Sequence, residues 1–242
     1  MKVLYEDNHL IAVYKPTGVL VQKGDTEGHD DNTLYWQVKE FIKKRDQKPG
    51  NVFLGVLHRL DRPTSGIVLF AKTSKGAARL SEQFRNREIK KTYHAVVYGK
   101  LDLSEATLKH FMQKDSSSLK AIIGTLRREA SGPEISTELA DDPSRRGVDE
   151  VEAILHYQVI QFNDRYSLLK IELETGRFHQ IRAQLSAIGH PIVGDVKYGA
   201  PEQLPDHSIA LCATSLKFKT ATGDEEHEIS IEIPKDWHIY FS

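Results

Sequence analysis

Along most of this chain, apolar and polar residues alternate in short runs with a period of two. Three stretches switch to a period near 3.6. The opening alternates as short strands, Val3–Tyr5 and then Leu10–Lys15, the second stopped by Pro16-Thr17-Gly18. Thr33–Lys44 predicts an amphipathic helix carrying Leu34, Val38, Phe41 and Ile42 on one face. Val52–Leu57 and Ile67–Lys72 are apolar enough for buried strands, with a polar, turn-like stretch between them. Ser74 is placed to cap a helix running to about Arg87, with Ala77, Leu80 and Phe84 inward. Thr92–Tyr98 is a further strand. The pattern then decays between Asp115 and Asp149, which predicts a surface insertion or hairpin rather than a domain. Strands resume at Ala153–Gln161 and Tyr166–Glu172. Gly176–Ile188 predicts a helix ended by Gly189 with Pro191 beyond, and Ile209–Lys219 and Glu228–Ile233 return to strand. Many strands and three helices, without regular βαβ alternation, predict one α+β domain over residues 1–242. Its sheet should be mixed, largely antiparallel and flanked by helices.

The 242 residues, 39% hydrophobic and 28% charged, suit a globular protein with a full core. The single cysteine, Cys212, excludes an internal disulfide and a cysteine-rich zinc site. The N-terminus shows no apolar run of signal-peptide length, so a cytoplasmic location is expected. Net charge is −1, but the charges are sorted: residues 1–124 hold 21 Lys+Arg against 14 Asp+Glu. Residues 125–153 hold 4 against 8, and residues 201–242 hold 3 against 8. A basic face for a polyanion is compatible with that distribution.

The most informative segment is His58-Arg59-Leu60-Asp61-Arg62-Pro63-Thr64-Ser65-Gly66, which packs a histidine and three charges between two apolar strands. A polar connecting loop would account for the first four residues; the continuation Pro-Thr-Ser-Gly points further. With it the segment resembles the first motif of the RluA family of pseudouridine synthases. Lys91-Thr92-Tyr93-His94-Ala95-Val96-Val97-Tyr98-Gly99 is similar to the family's second motif. Thr175-Gly176-Arg177-Phe178-His179-Gln180-Ile181-Arg182, continued by Gly189-His190-Pro191-Ile192-Val193-Gly194-Asp195, is similar to its third. The opening, from Asp7 to Gly18, resembles its entry strand and turn.

The resemblance implies a role for each matching residue. Asp61 would be the essential nucleophile or base, and Tyr93 would stack on the target base. Arg182 would pair with Asp61, Ile181 would close the apolar side, and Arg59 would hold the nucleotide outside its stack. It also implies a pseudouridine-synthase-like fold that acts without a cofactor or metal on structured RNA, ribosomal or transfer. Neither DNA nor a membrane is expected as a partner, and a monomer is expected. Many members carry a small N-terminal RNA-binding domain; here a stand-alone catalytic domain is expected, with Arg62, Arg85, Arg87, Lys90 and Lys91 gripping the RNA.

Elementary chemistry agrees. Moving uracil from an N1 to a C5 link requires breaking the glycosidic bond and turning the base, and a carboxylate serves as nucleophile or proton acceptor there. Extruding the base costs a few kcal/mol, which stacking offsets by roughly 1–3 kcal/mol. Two rivals use the same residues: an inactive RNA-binding module, which needs no carboxylate facing a polyanion, and a glycosidase, which needs a second catalytic carboxylate. His58, His179 and His190 lack the spacing of a metal site.

Overall fold

The computed structural model describes residues 1–23, 32–47, 49–115, 117–124, 134–135, 150–223 and 225–242. Most of the expected 115–149 insertion lies outside the described residues. The fold class is α+β, a mixed and mostly antiparallel sheet with few helices, as the pattern predicts. Contacts gather the chain into two compact units, Met1–Lys91 with Cys212–Ile233, and Thr92–Leu211 with Pro234–Ser242.

The first unit is built on β1 (Val3–Glu6), β2 (Leu10–Lys15), β3 (Gly55–Val56) and β4 (Ser65–Ala71). Strand β2 runs antiparallel to β4 from Leu10↔Ala71 to Lys15↔Gly66, and every residue of β4 is buried. Its helices are α1 (Leu34–Arg45) and α2 (Ser74–Arg85). Thr33 caps α1 by accepting the N–H of Trp36, and Lys43, Lys44 and Arg45 meet the negative end of its dipole. The cap of α2 is Thr73 rather than the expected Ser74. Its extended backbone turns Oγ1 onto the N–H of Gly76 at 3.1 Å, which places Ser74 inside the first turn. Leu80 of α2 packs with Leu10, Ile67, Leu69, Leu216, Phe218 and Ile229 in one core cluster.

The second unit contains β5 (Lys90–Tyr98) from Thr92 onward, β6 (Glu105–Asp115), β7 (Lys120–Gly124), β8 (Glu134–Ile135), β9 (Val151–Phe162) and β10 (Tyr166–Leu173). Their order is β5-β10-β9-β6-β7, with β8 parallel to β6. Helix α3 (Gln180–Ala187) covers Met112, Ala121 and Ala153 with Ala183. The C-terminal strands β11 (Leu211–Lys219) and β12 (Glu226–Ser230) pair antiparallel with each other and return to the first unit.

Three expectations are corrected in detail. Val52–Leu57 forms only the two-residue β3, because the ring of His58 takes over as acceptor for Leu69 N–H at 3.0 Å. Helix α3 starts four residues later than Gly176: Gln180 Oε1 accepts both Arg177 N–H (2.9 Å) and Thr175 O–H (2.8 Å), folding 175–179 into a turn. Strand β6 escaped prediction. Its inward positions are Ala106, Leu108, His110 and Met112, a row that a histidine makes look polar.

Gly66 has φ +123° at the point where β11 pairs parallel with β4, Ala213 opposite Gly66. A Cβ there would overlap the carbonyl of Ala213 and lie 2.5 Å from its nitrogen. Replacing Gly66 by Ala should therefore destabilise the protein by about 2–4 kcal/mol, through backbone strain and a forced separation of the strands. A urea denaturation midpoint unchanged from the parent would disprove this close crossing.

Candidate active site

In the first unit the polar segment between β3 and β4 is anchored through its main chain. Asp61 C=O accepts Thr64 N–H at 3.1 Å, closing a tight turn. Arg62 and Gly18 clasp each other reciprocally: Gly18 N–H donates to Arg62 C=O, and Arg62 Nε donates to Gly18 C=O, both at 2.9 Å. Lys15, at the end of β2, is fully buried and donates from Nζ to Pro16 C=O (3.0 Å) and Arg62 C=O (3.1 Å). Burial lowers its pKa to about 8; the Asp61 carboxylate works against that fall and the Arg62 charge adds to it. A half-buried Asp61 thus stands on a rigid loop within electrostatic reach of a buried ammonium. Lys15 was not singled out from sequence, although it stands in the opening motif as the residue before Pro16.

The expected RNA-gripping residues divide. Arg59, Arg62, Arg85, Arg87 and Lys90 are exposed. Lys91 is half-buried, and burial with the Arg87 charge pushes its pKa down, so it is less a surface phosphate ligand than its neighbours. The ring of His58 stacks on Phe84 at 5.1 Å, and burial with the Lys91 charge holds its pKa near about 3. The acidic C-terminal stretch is not uniformly remote from this edge. Glu226, paired with Lys217 at 2.7 Å, also feels the charge of Lys90.

In the second unit Tyr93 lies on β5 and is buried, 8% exposed. Ile181 and Arg182 follow each other on α3, 5% and 4% exposed. Arg182 makes a bidentate pair with Asp195, Nε to Oδ2 at 2.7 Å and Nη2 to Oδ1 at 2.8 Å. Asp195 is the second residue that sequence reasoning passed over, although Gly194-Asp195 closes the third motif. Gly194, at φ +85°, aims it there; a Cβ on Gly194 would lie 2.6 Å from Ser208 C=O.

The ring of Tyr198 lies under the guanidinium, 4.9 Å from Cζ to the centroid. Its hydroxyl accepts Ala121 N–H (2.7 Å) and meets His179 Nδ1 at 2.8 Å. Burial, with Arg182 and Lys197 adding to it, keeps the pKa of His179 near about 3. The structure therefore joins Asp61, Arg62 and Lys15 in one unit, and Ile181, Arg182, Asp195, Tyr198 and His179 in the other.

Solved structures place this fold in a class. It superposes on the human RNA pseudouridylate synthase domain-containing 4 protein with a TM-score of 0.77 at 22% identity, covering 99% of this chain and 91% of that one. The fold is that of pseudouridylate synthase domains. Residues 9–187 match the family model for RNA pseudouridylate synthase, and the chain belongs to that family. Among curated relatives, tRNA pseudouridine synthase C of Vibrio vulnificus is 30% identical, across 100% of this chain and 94% of its own length. The uncharacterized RNA pseudouridine synthase YhcT of Bacillus subtilis is 32% identical, across 100% and 73%. The activity is the isomerisation of uridine to pseudouridine in RNA. Among the described residues, no helix is long and apolar enough to cross a membrane.

Two outcomes follow from the buried groups. Arg182→Met should cost about 3–5 kcal/mol by stranding the Asp195 charge, and adding Asp195→Leu should restore part of that loss. Strict additivity in urea denaturation would mean that the pair carries no coupling. His110 is fully buried, and burial lowers its pKa from 6.5 to about 4. The unfolded chain therefore binds more protons than the folded one in this range. Stability should be complete above about pH 6.5 and fall as pH drops towards 4, with His58 and His179 adding in the same direction. A denaturation midpoint that is flat between pH 7 and pH 4.5 would contradict the neutral rings.

Proposed function

We propose that this enzyme isomerises uridine in transfer RNA, with Asp61 as its catalytic carboxylate. The observation that carries the reading is the placement of Asp61: half-buried, on a loop held at three main-chain points, beside the buried ammonium of Lys15. A cation so placed keeps the carboxylate ionised and fixes its position before substrate arrives, which favours transition-state charge at no cost in reorganisation. The name of the Vibrio relative, which spans this whole chain, supports transfer RNA over ribosomal RNA.

In the proposed reaction the N1–C1′ bond of the target uridine breaks and a C1′–C5 bond forms. The proton on C5 leaves and N1 gains one, so no atom or electron is supplied from outside. Asp61 serves as nucleophile at the sugar or as the base that takes a proton; both routes need its charge. Tyr93 is assigned to stacking on the base, Ile181 to the apolar surface beside it and Arg182 to charge stabilisation. Arg59 is assigned to holding the nucleotide out of its stack. Arg62 already spends its Nε on Gly18, so its share in RNA binding falls to the rest of its exposed guanidinium.

Asp61→Asn should abolish pseudouridine formation while leaving thermal stability and RNA affinity close to the parent. Turnover above a few per cent of the parent would remove Asp61 from the central role. Pseudouridine mapping in cells with and without the gene should show the lost site in the tRNA fraction; loss confined to rRNA would overturn the substrate assignment. Reversing Arg85 and Arg87 to Glu should weaken RNA binding and flatten its log–log salt dependence, by about 0.7–0.9 per lost phosphate contact. The same charge change at Glu225 alone, to Lys, should leave both unaltered.

A further inference from the structure

The turn that opens α3 carries an aromatic group which the roles above leave unused. Phe178 is 40% exposed, and its ring stacks on His179 with centroids 3.8 Å apart and planes 19° from parallel. His179 takes a left-handed backbone (φ 54°, ψ 25°), which a non-glycine residue holds only when its surroundings fix it. Here the bond to Tyr198 does so, and Tyr198 is fixed in turn by Ala121 N–H and the Arg182 guanidinium. The result is a neutral imidazole, rigidly mounted, that holds a phenyl ring towards solvent.

Cations ring this pair. Lys114 Nζ lies 5.2 Å from the Phe178 centroid. Lys197 Nζ donates to Leu119 C=O at 2.6 Å, at the turn between β6 and β7. Both lysines, with Arg182, act electrostatically on His179. Among the described residues, Asp195 is paired with Arg182, while Asp115 keeps its charge and accepts from the N–H and hydroxyl of Ser117 and the hydroxyl of Ser118. Leu119 and Val196 leave further apolar surface open, 56% and 47% exposed. An exposed flat ring on a fixed mount, with ammonium groups nearby, is the chemistry that recognises an unpaired nucleotide: a face to stack on and cations for its phosphates.

We infer that Phe178 is a stacking platform for a nucleotide of the substrate RNA other than the isomerised uridine, with Lys114 and Lys197 neutralising the phosphates beside it. Phe178 stands three residues before Ile181 and four before Arg182, so a base stacked there enters the same end of α3 as the site residues. Lys114 exchanges its contact with the ring for one with a phosphate. The inference rests on the family's action on RNA, not on the role given to Asp61.

The test measures binding of the full chain to tRNA and rRNA fractions from cells lacking the gene, with steady-state isomerisation alongside. Phe178→Leu should bind the preferred fraction about 5- to 100-fold more weakly and raise KM to match, with kcat within about twofold. Its salt slope should stay that of the parent, since no phosphate contact is lost. Phe178→Trp should restore binding. Lys114→Gln should weaken binding and reduce the slope by about 0.7–0.9. Parental affinity in Phe178→Leu, a tryptophan variant as weak as the leucine one, or a loss confined to kcat would each overturn the platform. The same comparison in an Asp61→Asn background separates this outcome from any failure of the catalytic assignment, because it reads binding alone.

Discussion

An ammonium group placed out of contact with water has few ways to be accommodated, and Lys15 uses them in a manner that fixes everything around it. Its two hydrogen bonds go to main-chain carbonyls, one in the turn after β2 and one in the segment before β4. Neither carbonyl can move without stranding the charge, so turn and segment are held in one geometry. The reciprocal Gly18–Arg62 bonds complete the lock. Asp61 immediately precedes the residue that is clasped. Its carboxylate is thus set by the backbone, and its negative charge moderates the burial-driven fall in the Lys15 pKa. A carboxylate on an ordinary surface loop would lack both that fixed position and the neighbouring ammonium.

The second unit solves a similar problem with a different device. Arg182 is buried, and the carboxylate, the aromatic face and the imidazole that accompany it come from one short stretch of chain, 179–198. Packing the helix start, the Gly194 turn and the Tyr198 ring around one guanidinium yields a compact cluster in which each polar atom constrains its neighbour. The stereochemical oddities of this stretch, a left-handed His179 and a Gly194 pressed against Ser208, are where that constraint is borne.

Much of this was legible in the sequence because period-two alternation and short turn signals dominate it. The strands around β2, β4, β9 and β10 and the faces of α1 and α2 follow directly from where Leu, Ile and Val recur. What escaped had specific causes. Strand β6 hides His110 among its inward positions, and a buried neutral imidazole reads as a surface residue in any hydropathy pattern. The early start predicted for α3 failed because a side-chain amide, Gln180 Oε1, captures two donors that a helix would have used differently. In the site, the quoted motifs contained Lys15 and Asp195, yet nothing in their spacing says that one amine is wholly buried or that one carboxylate faces Arg182. Those facts depend on Gly66 and Gly194, whose small size lets distant backbone come close.

The route of the chain through the first unit also has a temporal side. Strand β4 finds two antiparallel neighbours, β2 and the short β3, within residues 1–91, but its parallel neighbour β11 arrives only after all of residues 92–211. Leu216, Phe218 and Ile229 of the core cluster come with it. On the ribosome, the segment bearing Asp61 is made well before β11, the parallel neighbour of β4. Until then the Gly66 edge of β4 offers unpaired backbone groups to any passing strand. Closing so long a loop is slow, which makes the nascent chain dependent on whatever shields that edge in the interval.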